Sequence, residues 1–113
     1  MASDTFYIKK GDSAEDLTRT LKDADGNAVD VTSATIVFSM RRDGSKTNTV
    51  NRQSVTLVTA ASGIVKYVWQ AGDTALSGKF IAEFEVTYSG GKIQTFPNNE
   101  GDKFYVVVED DLG

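Results

Sequence analysis

The stretch KFIAEFEVTY, residues 79–88, decides the fold. Phe80, Ala82, Phe84, Val86 and Tyr88 fall on one side of an extended chain. Lys79, Glu83, Glu85 and Thr87 fall on the other, with Ile81 the exception. A period of two marks a half-buried strand. A helix would scatter both sets around its circumference. Thr35–Arg42 alternates in the same way, with Ile36, Phe38 and Met40 set against Thr35, Val37, Ser39 and Arg41.

Working outward, residues 5–10, 16–22, 53–59, 64–70, 92–96 and 103–109 also read as strands. The separators carry turn chemistry. Asp25-Gly26 and Gly90-Gly91 suit tight turns, and Asp43-Gly44-Ser45 and Ser62-Gly63 are similar punctuation. Pro97 interrupts the last stretch because it cannot donate to a ladder. Only residues 72–78 suggest helix, with Asp73 as the cap of one short turn and Gly78 ending it. The expected fold is all-β: two packed antiparallel sheets of seven or eight short strands, with a closed barrel as the alternative.

Length and composition narrow the function. The 113 residues suit one domain, 1–113, with its own core. The absence of Cys removes disulfides, thiolate zinc sites and thiol nucleophiles. The absence of His removes Ser–His pairs and imidazole ligands. An enzyme is therefore the least favoured class. A net charge of −4 gives no bulk attraction to nucleic acid or to an anionic membrane. The N-terminus lacks the basic and apolar regions of a secretory signal, and no apolar run is long enough to span a membrane.

Several constellations carry a chemical reading beside a plainer one. Asp23, Asp25 and Asn27 invite calcium. In the common calcium loop, however, Gly stands sixth, whereas in Asp23-Ala24-Asp25-Gly26-Asn27 it stands fourth. A solvated hairpin turn is the expectation, and no metal or cofactor is assigned. Glu83 and Glu85 share a strand face with Cα atoms about 6.5–7 Å apart. That lies near the lower end of the carboxylate spacing of inverting glycosidases, about 6.5–9.5 Å. Neighbouring carboxylates on a solvated face lack the unlike environments such catalysis needs, so an exposed polar face is expected. Trp69 and Tyr67 share a face with Val65. They form either a sugar-stacking platform or, as expected, part of the core. Ser39, Ser54 and Ser77 stand in no nucleophile context, and no Gly-rich phosphate loop is present.

Charge is uneven along the chain. Arg41, Arg42, Lys46 and Arg52 lie in or beside one hairpin with only Asp43 opposing them. The last stretch carries Glu100, Asp102, Glu109, Asp110 and Asp111 against Lys103 alone. Each segment reads as a solvated surface or as a contact to a neighbouring subunit. Arg41, Arg42, Lys46, Arg52, Glu109, Asp110 and Asp111 are the candidate partner-contact residues. Loops of a sandwich gather at its two ends, so the two patches are expected apart, facing different neighbours.

The string from Ile64 to Asn98 has a further pattern. Tyr67 and Trp69 precede Gly72-Asp73-Thr74. Gly78-Lys79-Phe80, Glu83-Phe84-Glu85, Gly90-Gly91 and Phe96-Pro97-Asn98 follow. Upstream, Gly11-Asp12-Ser13, Leu17-Thr18-Arg19-Thr20-Leu21, Asp23-Ala24-Asp25-Gly26-Asn27, Val31-Thr32-Ser33-Ala34-Thr35 and Phe38-Ser39-Met40-Arg41 also fit. Together these resemble the N-terminal domain of phage baseplate upper proteins. The resemblance implies an immunoglobulin-like sandwich and a non-enzymatic structural role in the virion, at the baseplate or tail. Such a protein is made in the bacterial host cytoplasm, and its partners are other virion proteins and further copies of itself. Members of that family continue into linkers and receptor-facing modules, whereas this chain stops at Glu109-Asp110-Asp111-Leu112-Gly113. It reads as either a stand-alone small virion protein or an excised domain. Two other roles compete: a head-decoration or fibre-anchoring protein, and a host-surface carbohydrate-binding module.

Overall fold

The structure is a computed structural model that describes residues 4–97 and 103–110. In chain order its strands are β1 (Asp4–Lys9), β2 (Leu17–Thr20), β3 (Thr35–Arg42), β4 (Asn48–Ser54), β5 (Thr56–Thr59), β6 (Ile64–Tyr67), β7 (Gly78–Thr87), β8 (Ile93–Phe96) and β9 (Phe104–Glu109). A short 3-10 turn, Ala60–Ser62, joins β5 to β6. No helix among the described residues is long and apolar enough to cross a membrane.

The deciding stretch is the hub. β7 pairs antiparallel with β3, Phe84 opposite Phe38 and Val86 opposite Ile36. Its other side is shared: β9 pairs with residues 78–82 and β8 with residues 84–87. The larger sheet runs β1-β9-β7-β3-β4 with β8 beside β7, and the smaller runs β2-β6-β5.

The alternation read from sequence holds in space. Phe80, Ala82, Phe84 and Val86 are buried, as are Ile36, Phe38 and Met40, while Lys79, Glu83 and Arg41 are exposed. The smaller sheet closes the core with Leu17, Val65 and Tyr67. Phe38 and Tyr67 stack across the layers at 4.6 Å. The protein is an all-β sandwich, held by apolar faces that meet between two sheets.

Three details differ from the expectation. Nine strands are formed among the described residues, and one pair is parallel: β1 lies along β9, from Asp4 opposite Phe104 to Lys9 opposite Glu109. Parallel neighbours need a long connection, and nearly the whole chain lies between these two. The 53–59 stretch is divided. Ser54 ends β4 in the larger sheet and Thr56 begins β5 in the smaller one. Between them the Val55 N–H bonds to the Ile36 carbonyl at 3.0 Å. Residues 72–77 form turns and bends and no helix, and Gly78 already begins β7. The Asp73 carboxylate reaches back to the Gln70 N–H, 2.8 Å away, instead of capping the residues ahead.

Candidate functional site

The four basic candidates occupy different environments. Arg41 has outward parity on β3 and is exposed. Lys46 is exposed in the loop that follows. Arg42 has inward parity at the end of the strand. Its guanidinium lies over the Phe80 ring, 5.3 Å from the centroid, and donates to the Ser77 carbonyl at 2.9 Å. Arg42 therefore closes one end of the core. Arg52 sits further along the sheet, donating its backbone N–H to Ser39 Oγ at 3.0 Å and its Nη1 to Glu85 Oε1 at 2.7 Å. Arg41 and Lys46 are left to the surface, while Arg42 and Arg52 already serve the fold.

Among the acidic candidates, Glu109 lies 3.7 Å from Lys9 Nζ, and Asp110 is exposed. Asp111, like Glu100 and Asp102, lies outside the described residues. The expected separation of the two patches is corrected by register. Arg42 stands opposite Phe80 and Val108 opposite Gly78, so the loop after β3 and the end of β9 leave the sheet at the same end. They flank β7 on its two sides. Among the described residues, Arg41 and Lys46 on one side and Glu109 and Asp110 on the other thus border the same end of the larger sheet.

The remaining constellations resolve as follows. Glu85 is held by Arg52, and Glu83 is exposed on the open sheet face. Trp69 is 4% exposed and Tyr67 1%. The Trp69 ring meets Phe38 edge-on at 6.0 Å and Tyr67 at 5.3 Å. These rings are core, not a sugar platform. Asp23 Oδ1 accepts the N–H groups of Asp25 and Asn27 at 2.9 and 3.0 Å. One acidic oxygen of the loop is thereby spent on closing the turn. Among the described residues no group of three acidic, His or Cys side chains is placed to hold a metal ion.

Sequence reasoning overlooked Arg19. It lies in a cleft of about 310 Å³ where the two sheets part, over a floor of Leu21, Phe84, Phe96 and Phe104. Its guanidinium is 5.1 Å from the Phe104 ring and 5.6 Å from that of Phe6. Its Nε donates to Asp4 Oδ2 at 2.6 Å. The available signal was parity: Arg19 alternates with Leu17 and Leu21, both buried. An Arg on an inward row covers apolar surface with its stem and keeps its head at the rim.

No curated protein matches this chain. The family model for the BppU N-terminal domain matches residues 2–112. That span takes in both sheets, the hub strand and the turn that holds Asp73. The chain belongs to the BppU N-terminal domain family, a structural domain of phage baseplate proteins.

Proposed function

We propose that this chain, with residues 1–113 acting as one domain, is a non-enzymatic docking module that joins neighbouring proteins of the phage baseplate or tail. The observation that carries the reading is the family match over residues 2–112. The side chains support it. The two aromatic residues whose spacing suggested a sugar platform, Trp69 and Tyr67, are buried. The chain has neither His nor Cys for acid–base or nucleophilic work. What it offers to partners is a sandwich with exposed charge of both signs at one end. Its partners are virion proteins, with no role for nucleic acid, membrane insertion or a small-molecule ligand. Arg41 and Lys46 on one edge and Glu109 and Asp110 on the other would steer encounter and fix register.

Amine-reactive cross-linking of intact particles, read by mass spectrometry, tests this. Lys46 and Lys79 are exposed and available to the reagent. Cross-links from these lysines to baseplate or tail proteins are expected. Cross-links to capsid proteins alone would overturn the assignment in favour of head decoration.

A further inference from the structure

β7 begins between two strand ends of opposite charge. On one side β3 ends at Arg42, opposite Phe80, and on the other β9 ends one residue past Val108, the partner of Gly78. Arg41 and Lys46 are exposed on the β3 side, and Asp110 on the β9 side. The loop that follows β1 joins the β9 side. Its Lys10 N–H donates to the Glu109 carbonyl at 2.7 Å, which keeps the exposed Asp12 there. Glu109 already lies 3.7 Å from Lys9 Nζ, so Asp12 and Asp110 are the acids that this side presents. Asp43 opposes the basic group and Lys10 the acidic one.

An exposed leucine lies between the two sides. The turn before β7 is pinned at both ends. Thr74 accepts the Gly11 N–H at its carbonyl at 2.9 Å and donates from Oγ1 to the Asp12 carbonyl at 2.8 Å. Ser77 accepts the Arg42 guanidinium at its carbonyl at 2.9 Å. Thr74 is buried, whereas Leu76, between these anchors and two residues before β7, is 60% exposed. A leucine on a turn held in this way loses little backbone freedom when a partner covers it.

We infer that this end of the sandwich docks on the same end of a second copy of the chain, about a two-fold axis that passes by Leu76. β3 and β9 flank β7, each one strand spacing away. A half-turn at the start of β7 therefore carries the β9 side of one copy onto the β3 side of the other. Asp12 and Asp110 then face Arg41 and Lys46 of the second copy, twice over, and Leu76 faces Leu76. The interface is isologous. The charge pattern selects a second copy as the occupant: the end is complementary to itself, whereas a partner surface of one sign would meet like charge on one side. One leucine and exposed charges make a small, weak contact. Regular spacing of copies in a particle would supply the effective concentration it needs. The inference rests on the docking role proposed for these two edges and names the partner.

The chain has no cysteine, so Leu76→Cys introduces a single thiol. Disulfides need Cα atoms about 4.4–6.8 Å apart, so a thiol beside the axis should link two copies readily. Val58→Cys is the control, at a residue 50% exposed on β5 of the smaller sheet. The purified full chain is oxidised with diamide, and the linked dimer is read on a non-reducing gel. At low salt, Leu76→Cys is expected to link at least tenfold faster than Val58→Cys. Raising salt from about 0.1 M to about 1 M cuts the screening length from about 10 Å to about 3 Å and is expected to remove most of that lead. Arg41→Glu with Lys46→Glu, placed in both cysteine variants, should also remove it. Adding Asp12→Lys with Asp110→Lys should bring it back. Should a charge variant fail to fold, the salt series decides the matter. Equal rates for the two cysteine variants overturn the inference, as does a lead that survives either high salt or charge reversal. Such a result leaves docking to other virion proteins standing, to be judged by the cross-linking of intact particles.

Discussion

The Tyr67 hydroxyl donates to the Asp73 carboxylate at 2.5 Å, and the same carboxylate oxygen accepts the Gln70 N–H at 2.8 Å. One side chain thus ties the end of β6 to the turn that leads into β7. Tyr67→Phe keeps the ring that stacks on Phe38 and removes the donor. A hydrogen bond to a charged group contributes about 1.5–3 kcal/mol. A loss toward the lower end is expected in a thermal melt, because Asp73 keeps its bond from Gln70.

The same pair makes an alkaline prediction. Burial, followed by the Asp73 hydrogen bond and charge, pushes the Tyr67 phenol up from its ordinary 10.0. The folded state then holds a proton that the unfolded state releases. The resulting stability is complete below pH 10 and declines above it, as pH rises toward the folded value. Melts between pH 9 and 11 check this: the wild type should lose stability more steeply than Tyr67→Phe above pH 10.

Phe84 is 2% exposed and lies between Phe38, at 5.2 Å, and Phe104, at 6.1 Å. Phe84→Ala should cost about 3–5 kcal/mol, the range for large core aromatics cut to Ala. Denaturant unfolding would show the midpoint falling, with the dependence of the unfolding free energy on denaturant kept. An unchanged midpoint would mean that the hub strand faces the other way.

Gly63 and Gly26 both take positive φ, 70° and 84°, but their surroundings differ. A Cβ on Gly63 would stand 2.6 Å from the Val29 carbonyl oxygen, whereas nothing lies within 4 Å of one on Gly26. Gly26→Ala should cost only the left-handed penalty, about 1–2 kcal/mol. Gly63→Ala should cost clearly more, because backbone must move. Equal shifts in melting temperature would contradict the packing of Val29 on the β5–β6 turn.

Arg41 and Arg42 are adjacent in sequence and differ in duty. Arg41→Glu on the open surface should change stability by no more than about 0.5 kcal/mol. Arg42→Glu should destabilise the domain, because it removes a cation from the Phe80 ring and a donor from the Ser77 carbonyl. For the proposed docking role, Arg41→Glu with Lys46→Glu is the clean pair: it should leave the melt unchanged and reduce incorporation into particles.

Where period two was strong, the sequence could be read directly. β7 and β3 pair large apolar residues with charged ones, and their inward rows are the rows found. β4 was not legible as a strand because only Val50 of its seven residues is buried. Its pairing comes from β3, and its bulges break any alternation. The parallel β1–β9 pair could not be read locally, since pairing partners so distant leave no turn between them. Arg42 shows a limit of charge counting: its neighbours in sequence suggest a basic patch, while its parity sends it to the core's end. Arg19 was legible by parity with Leu17 and Leu21, a signal hidden by treating every Arg as surface.

The role proposed for this domain is that of a docking part of the baseplate or tail. The most direct measurement is the position of the domain in intact particles, by electron microscopy of virions labelled with an antibody to it. Label is expected at the baseplate end of the tail, in copies set by the particle's rotational symmetry. Label confined to the head would contradict it.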